Sequence, residues 1–217
     1  MRFELDDYKS SEILGKFLKS MMGGDDREGK HPSITDLTYC LTKTFWDSQK
    51  ETKRDPTDKT KMYFTLGLGL EQTLLQGFKS EVKEGEVEGI WFHPDVLDED
   101  GLMELKTTRM APTKAVPDQF SDGWMRQIKG YLYCLELLDV IYVVMHLIQA
   151  ELRAWRIHFE PEEIQENWKY LLRRKEVWDQ AEATGNAPKS YTYNQGWECR
   201  DCVYSLRCEA LRFVGRG

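Results

Sequence analysis

The stretch Pro94-Asp95-Val96-Leu97-Asp98-Glu99-Asp100-Gly101-Leu102-Met103-Glu104-Leu105-Lys106 decides the reading of this chain. Asp98-Glu99-Asp100-Gly101 is a strong turn signal, so the segment reads as a β-hairpin. A four-residue turn there sets Leu97 opposite Leu102 and Asp95 opposite Glu104. Side chains alternate along a strand, so Glu104 and Lys106 share one face. Directly opposed side chains have Cβ atoms only ~5 Å apart. Two carboxylates and an ammonium therefore converge. Like charges this close repel unless a divalent cation lies between them. Carboxylate oxygen, together with water and phosphate, suits Mg²⁺ or Mn²⁺. Such an ion activates water and polarises a phosphoryl oxygen. Lys106 would orient that water or offset charge in the transition state. The plain alternative is a surface hairpin with a solvated acidic turn. Glu88, in Gly85-Glu86-Val87-Glu88-Gly89-Ile90, is a rival for the first acid across a longer loop. It and Asp95 are an odd number of residues apart and face opposite ways without a bulge, and the shorter turn favours Asp95.

Around the hairpin, residues 82–109 read as strands, and Met62 to Phe78 as a mostly apolar helix. Asp118 to Leu138 has helical spacing, with Trp124, Ile128, Tyr131, Leu135 and Leu138 on one side. Val140 to Ile148 is an apolar strand that should pair with the alternating run Glu151 to Phe159. Glu160-Pro161-Glu162-Glu163 opens a long helix to about Ala183. Upstream, residues 1–30 read as a short helix and a linker, and 50–61 as a polar loop. Ser33 reads as the cap of a helix start, with Cys40 about two turns into that helix. The order helix, strands, helix, strands, helix predicts an α/β fold, a mixed sheet flanked by helices. The 217 residues suit a single domain, 1–217.

The chain carries 30 Lys and Arg against 37 Asp and Glu, a net charge of -7, which excludes a broadly basic nucleic-acid binder but not a local basic groove. There is no apolar signal segment, and no run approaches the ~20 apolar residues of a membrane span. A cytoplasmic location with no membrane partner is expected. In a reducing compartment clustered cysteines bind metal more often than they pair. Cys199, Cys202 and Cys208 form a C-x2-C-x5-C run. Cys40 is the candidate fourth ligand. Cys134, on an apolar helix, competes but reads better as a core thiol. Zinc is the plain occupant, although four-cysteine zinc sites usually pair two C-x2-C knuckles.

Pro94-Asp95 followed by Glu104-Leu105-Lys106 resembles the PD-(D/E)XK nuclease motif. Gln127-Ile128-Lys129-Gly130-Tyr131 is similar to the Q-x3-Y helix motif of the RecB-like branch, with Gln127 and Tyr131 one turn apart. Gly67-Leu68-Gly69-Leu70-Glu71 matches a third piece, where many members carry His in place of Glu71. The lopsided cysteines, and Pro32 to Cys40 as a helix entering the first of them, look like the iron–sulfur RecB-like nucleases, including CRISPR-associated exonucleases and phage relatives. The resemblance spans about residues 31–210. It implies a PD-(D/E)XK core with Asp95, Glu104 and Lys106 as the catalytic set. Gln127 and Tyr131 would border the active site and the DNA, and Glu71 would be a further metal ligand beside Asp95 and Glu104. It also implies a [4Fe–4S] cluster on Cys40, Cys199, Cys202 and Cys208. Residues 31–48 and 190–217 would together form the cluster-binding part.

The function expected from these pieces is a Mg²⁺- or Mn²⁺-dependent deoxyribonuclease, an exonuclease on DNA ends or single strands. Its setting would be CRISPR adaptation, recombination or phage DNA processing, with proteins of those systems as partners. A DNA-end-binding subunit with little cutting is the alternative, and a zinc-stabilised interaction protein is a third reading. No G-x4-G-K-[ST] loop is present, so no helicase is expected. Arg109, Lys114, Arg126 and Lys129 are candidate phosphate contacts, and Trp91, Phe92 and Trp124 candidate stacking groups. Solvated charges and core aromatics are the ordinary reading of the same residues. Arg173-Arg174-Lys175 reads as the exposed face of the late helix.

Overall fold

The computed structural model describes residues 32–49, 53–55, 57–76, 84–113, 120–189, 198–200 and 202–214. The expected N-terminal helix within 1–30, and Lys114, lie outside the described residues. The fold is mixed α/β. One sheet runs in the order β3 (Val96–Asp98), β4 (Gly101–Thr108), β5 (Asp139–His146), β6 (Glu151–His158). β3 pairs antiparallel with β4, β4 parallel with β5, and β5 antiparallel with β6. A parallel pair needs a long crossover. Here helix α4 (Asp122–Leu135) supplies it.

The helices before it are α1 (Ile34–Thr38), α2 (Leu41–Ser48) and α3 (Asp58–Leu75). α5 (Pro161–Thr184) and α6 (Ser205–Val214) follow the sheet. α1 starts at a reciprocal cap, in which Ser33 Oγ accepts the Asp36 N–H and the Asp36 carboxylate accepts the Ser33 N–H. α3 begins earlier than its apolar spacing predicts, because Thr57 Oγ1 accepts the Thr60 N–H and so draws part of the polar 50–61 stretch into the helix. α4 is shorter than Asp118–Leu138. Glu136, with φ of 56°, ends it, and Leu138 lies in the connection to β5. β5 stops at His146, which leaves Ile148 exposed in the turn.

Residues 85–92 do not run on into the sheet. They fold into a separate two-stranded hairpin, β1 (Gly85–Val87) and β2 (Ile90–Phe92). Glu88 and Gly89 form its turn, both at positive φ (52° and 75°), as two-residue hairpin turns favour. Glu88 tolerates that conformation while its carboxylate accepts the Trp168 indole N–H at 2.5 Å.

The core lies between one face of the sheet and the helices. Leu102, Val140, Tyr142 and Val144 meet Ile34 and Leu37 of α1, Ile128 and Leu132 of α4, and Trp168 and Leu171 of α5. Helices α1 and α4 approach closely because α4 offers glycines. A β-carbon on Gly130 would stand 2.9 Å from Ile34 Cγ2, and one on Gly123 would stand 2.9 Å from Tyr39 Cε1. No helix among the described residues is long and apolar enough to cross a membrane.

Candidate functional site

The hairpin register is Val96 with Met103, Leu97 with Leu102 and Asp98 with Gly101. Continued by one residue, it sets Asp95 opposite Glu104. The Asp95 carboxylate accepts the backbone N–H of Leu105 at 2.7 Å, which fixes it against β4. Glu104 is fully buried. One of its oxygens accepts from the Lys106 ammonium, and the other, Oε2, has no hydrogen-bond partner. Lys106 is itself only 18% exposed.

Burial pushes the Glu104 carboxyl up to about 7, with the nearby Asp95 charge adding to the rise and Lys106 opposing it. Burial also raises Asp95, against the pull of Lys106 and the Leu105 N–H. For Lys106, burial acts to lower the value, but Glu104 and Asp95 overcome it and hold the ammonium above its ordinary range. Lys106 therefore stays charged beside the two acids.

Tyr131 faces this group from α4. Burial first, then the Glu104 charge, keeps its phenol protonated. Gln127 Nε2 donates to the Tyr131 hydroxyl at 2.8 Å and to Thr35 Oγ1 of α1 at 3.1 Å. The structure thus brings Asp95, Glu104, Lys106, Gln127 and Tyr131 into one region. Glu71 lies on α3, and its side chain is outside the described residues. Glu88 is elsewhere, in the β1–β2 turn against Trp168.

Tyr142 is a member that sequence reasoning missed. It sits opposite Glu104 across the parallel β4–β5 pair, and its buried hydroxyl has no partner. Nothing in the apolar run Val140–Ile148 signals this before the parallel register is known.

Most flanking candidates have other occupations. The Arg126 guanidinium lies over the Tyr170 ring at 4.1 Å, and Lys129 lies over Phe159 at 5.6 Å. Arg109 stacks on Tyr63 and donates to its hydroxyl at 2.7 Å. Phe92 is buried, and Trp124 packs toward Tyr142. Trp91 donates its backbone N–H to Pro32. Arg174 is not on an exposed face. It is buried and donates to the carbonyls of Leu37 and Tyr39.

Cys40, Cys199, Cys202 and Cys208 line one cavity of about 100 Å³, together with Trp46, Glu198 and Tyr204. Cys40 is not inside the helix that Ser33 caps, which ends at Thr38; it is the N-cap residue of α2, and its N–H donates to Glu198 Oε1 at 3.0 Å. Burial raises its thiol. The tail is anchored beside it by Tyr204. The Tyr204 hydroxyl donates to Asp47 Oδ1 at 2.7 Å and accepts the Arg54 N–H at 2.9 Å. Its ring meets Trp46 at 5.1 Å. Cys134 is not among the lining residues and packs against the main core. Among the described residues no three His, Cys, Asp or Glu side chains form a group able to hold one metal ion.

No protein-family model matches the chain, and no curated protein matches it. Among solved structures it is similar to the crystal structure of SSO0001, with a TM-score of 0.60 and 20% identity, over 93% of this chain and 96% of that one. At that identity the likeness concerns the fold.

Proposed function

We propose that this chain is a metal-dependent deoxyribonuclease with a PD-(D/E)XK core, acting on DNA ends or single strands. The observation that carries the reading is Glu104, buried opposite Asp95 with one carboxylate oxygen unpartnered. A buried acid beside a second acid is costly, and a shared cation relieves that cost. Two carboxylates on a fixed hairpin fit Mg²⁺ or Mn²⁺, and Glu71 would add a third oxygen donor. The ion, when bound, supplies Lewis acidity and a more acidic water. The chain's own groups do the rest. Lys106 offers a fixed charge to developing phosphoryl oxygen charge. Gln127, hydrogen-bonded to Tyr131, locks the α4 face over the acids. Tyr131 accepts the Gln127 amide N–H and, kept protonated, retains an O–H to donate.

The thiols of Cys40, Cys199, Cys202 and Cys208 fit a [4Fe–4S] cluster. Four-cysteine zinc sites usually pair two C-x2-C knuckles, whereas here one thiol stands far ahead of a group of three, all four lining one cavity. The wider setting, CRISPR adaptation, recombination or phage DNA processing, rests on the family resemblance.

The test is degradation of linear DNA with Mg²⁺ or Mn²⁺, stopped by chelator. Asp95→Ala, Glu104→Ala and Lys106→Ala should each slow cutting by ~100-fold or more, about 3 kcal/mol in the barrier. Anaerobically purified protein should be brown and carry about four iron atoms per chain. Protein that binds DNA ends but never cuts would make the end-binding subunit the better reading.

A further inference from the structure

Helix α3 keeps a group of large apolar side chains in solvent. Phe64 is 63% exposed, and Tyr63, Leu66 and Leu68 are each more than one-third exposed. Exposed apolar residues gathered in one place mark a binding surface. Where α3 lies narrows what that surface binds. Tyr63 meets Arg109 just past the end of β4, and a β-carbon on Gly67 would stand 3.3 Å from Thr107 Oγ1. Four helix residues rise ~6 Å and two strand residues ~7 Å, so α3 runs antiparallel along β4 and keeps step with it. One further step sets position 71 abreast of Leu105, the residue whose N–H donates to Asp95. The exposed group therefore stands on a helix that leads to the acid–lysine site, ~12 Å back along the axis from position 71.

This surface is not plain hydrocarbon. The Arg109 guanidinium lies over the Tyr63 ring at 4.5 Å and donates to its hydroxyl at 2.7 Å, so a cation is fixed on one aromatic ring beside a second, largely exposed one. Lys59, also exposed, stands one turn before Tyr63 on the same side of the helix. Exposed rings beside fixed cations suit a polyanion with open bases, because bases stack on the rings and phosphates meet the cations. A duplex hides its base faces, so an unpaired strand offers both. The net charge of -7 points the same way, since a chain poor in cations draws affinity from stacking rather than from backbone charge. We propose that Tyr63, Phe64 and Arg109 form a stacking platform for single-stranded DNA, with Phe64 holding a base and Arg109 a phosphate. The platform guides the unpaired strand along α3 to Asp95, Glu104 and Lys106. The proposal rests on the nuclease reading, because it names the substrate of that site.

The experiment measures binding apart from cutting. The full chain, with chelator present, is titrated into fluorescein-labelled oligo(dT) and into a blunt duplex of the same length, and anisotropy is read. Wild type should bind oligo(dT) more tightly than the duplex. Phe64→Ala and Phe64→Leu should each weaken oligo(dT) binding ~10-fold, the loss expected of one stacked base, while Phe64→Trp retains it. Arg109→Gln should flatten the salt dependence by ~0.7 in log–log slope, the value for one phosphate contact on a single strand. With Mn²⁺, Phe64→Ala should raise KM for single strands more than it lowers kcat, at unchanged Tm. Oligo(dT) binding that Phe64→Leu leaves intact would overturn the proposal, because leucine is apolar but cannot stack. So would a wild-type oligomer that Phe64→Ala converts to monomer at unchanged oligo(dT) affinity, which makes the patch an interface between copies. If the protein cuts DNA and every Phe64 variant binds oligo(dT) like wild type, the platform falls and the nuclease reading stands. If oligo(dT) binding follows Phe64 as stated but wild type never cuts, the nuclease reading falls and the platform stands.

Discussion

Glu104→Gln should make the metal-free protein more stable at alkaline pH, although it alters a fully buried residue at the centre of the site. Burial lifts the Glu104 carboxyl from 4.5 to about 7, helped by Asp95 and opposed by Lys106. A rise of about 2.5 units at ~1.36 kcal/mol each corresponds to about 3 kcal/mol. Between those values the folded protein holds a proton that the unfolded chain has released. The group's contribution to stability is therefore full below pH 4.5 and is lost as pH rises through about 7. Glutamine does not titrate, and Asp95 still faces Lys106 in the variant. In urea unfolding with chelator, the stability of Glu104→Gln minus that of wild type should grow by ~2–3 kcal/mol between about pH 5 and 8.5. Mn²⁺ should reverse the order at the higher pH, because it stabilises only a folded state with an ionised Glu104. A difference that does not change with pH, or equal Mn²⁺ stabilisation of both proteins, would refute the reasoning.

Arg174→Met should cost about 2–4 kcal/mol in chemical denaturation, because it leaves the Leu37 and Tyr39 carbonyls buried without their donors. Arg153→Met, at a pair more than one-third exposed, should cost under ~1 kcal/mol. Glu88→Gln should leave DNA cutting unchanged while lowering Tm, since its carboxylate holds Trp168 rather than the acids; lost cutting in a folded variant would return Glu88 to the site. Cys40→Ala should remove iron from the purified protein and Cys134→Ala should not, as elemental analysis would read directly.

What sequence could reveal here was mostly local. The β3–β4 hairpin is legible because turn chemistry and strand alternation fix register over a dozen residues. The same logic failed seven residues upstream, at a turn of Glu88-Gly89. A glutamate at positive φ is a poor turn signal, and its anchor, Trp168, lies 80 residues further on. Arg174 was misread for a similar reason. Within Arg173-Arg174-Lys175 the three side chains look alike, and only the acceptors on Leu37 and Tyr39 single one out. The grouping of Cys199, Cys202 and Cys208 is visible in sequence. Their meeting with Cys40 depends on Tyr204 docking against Trp46 and Asp47, which no local pattern encodes. Tyr142 became visible only through the parallel pairing of β4 with β5.

The cavity shared by Cys40 and the tail has a consequence for how the protein is made. Cys40 leaves the ribosome 159 residues ahead of Cys199 (199 − 40). At ~5–20 residues per second that interval is roughly 8–30 s. Throughout it the first thiol has none of its three partners, and Tyr204 does not yet exist to reach Asp47. Any chain cut short before Cys208 keeps an incomplete set of thiols. The four thiols can therefore line one cavity only once residue 208 has been made.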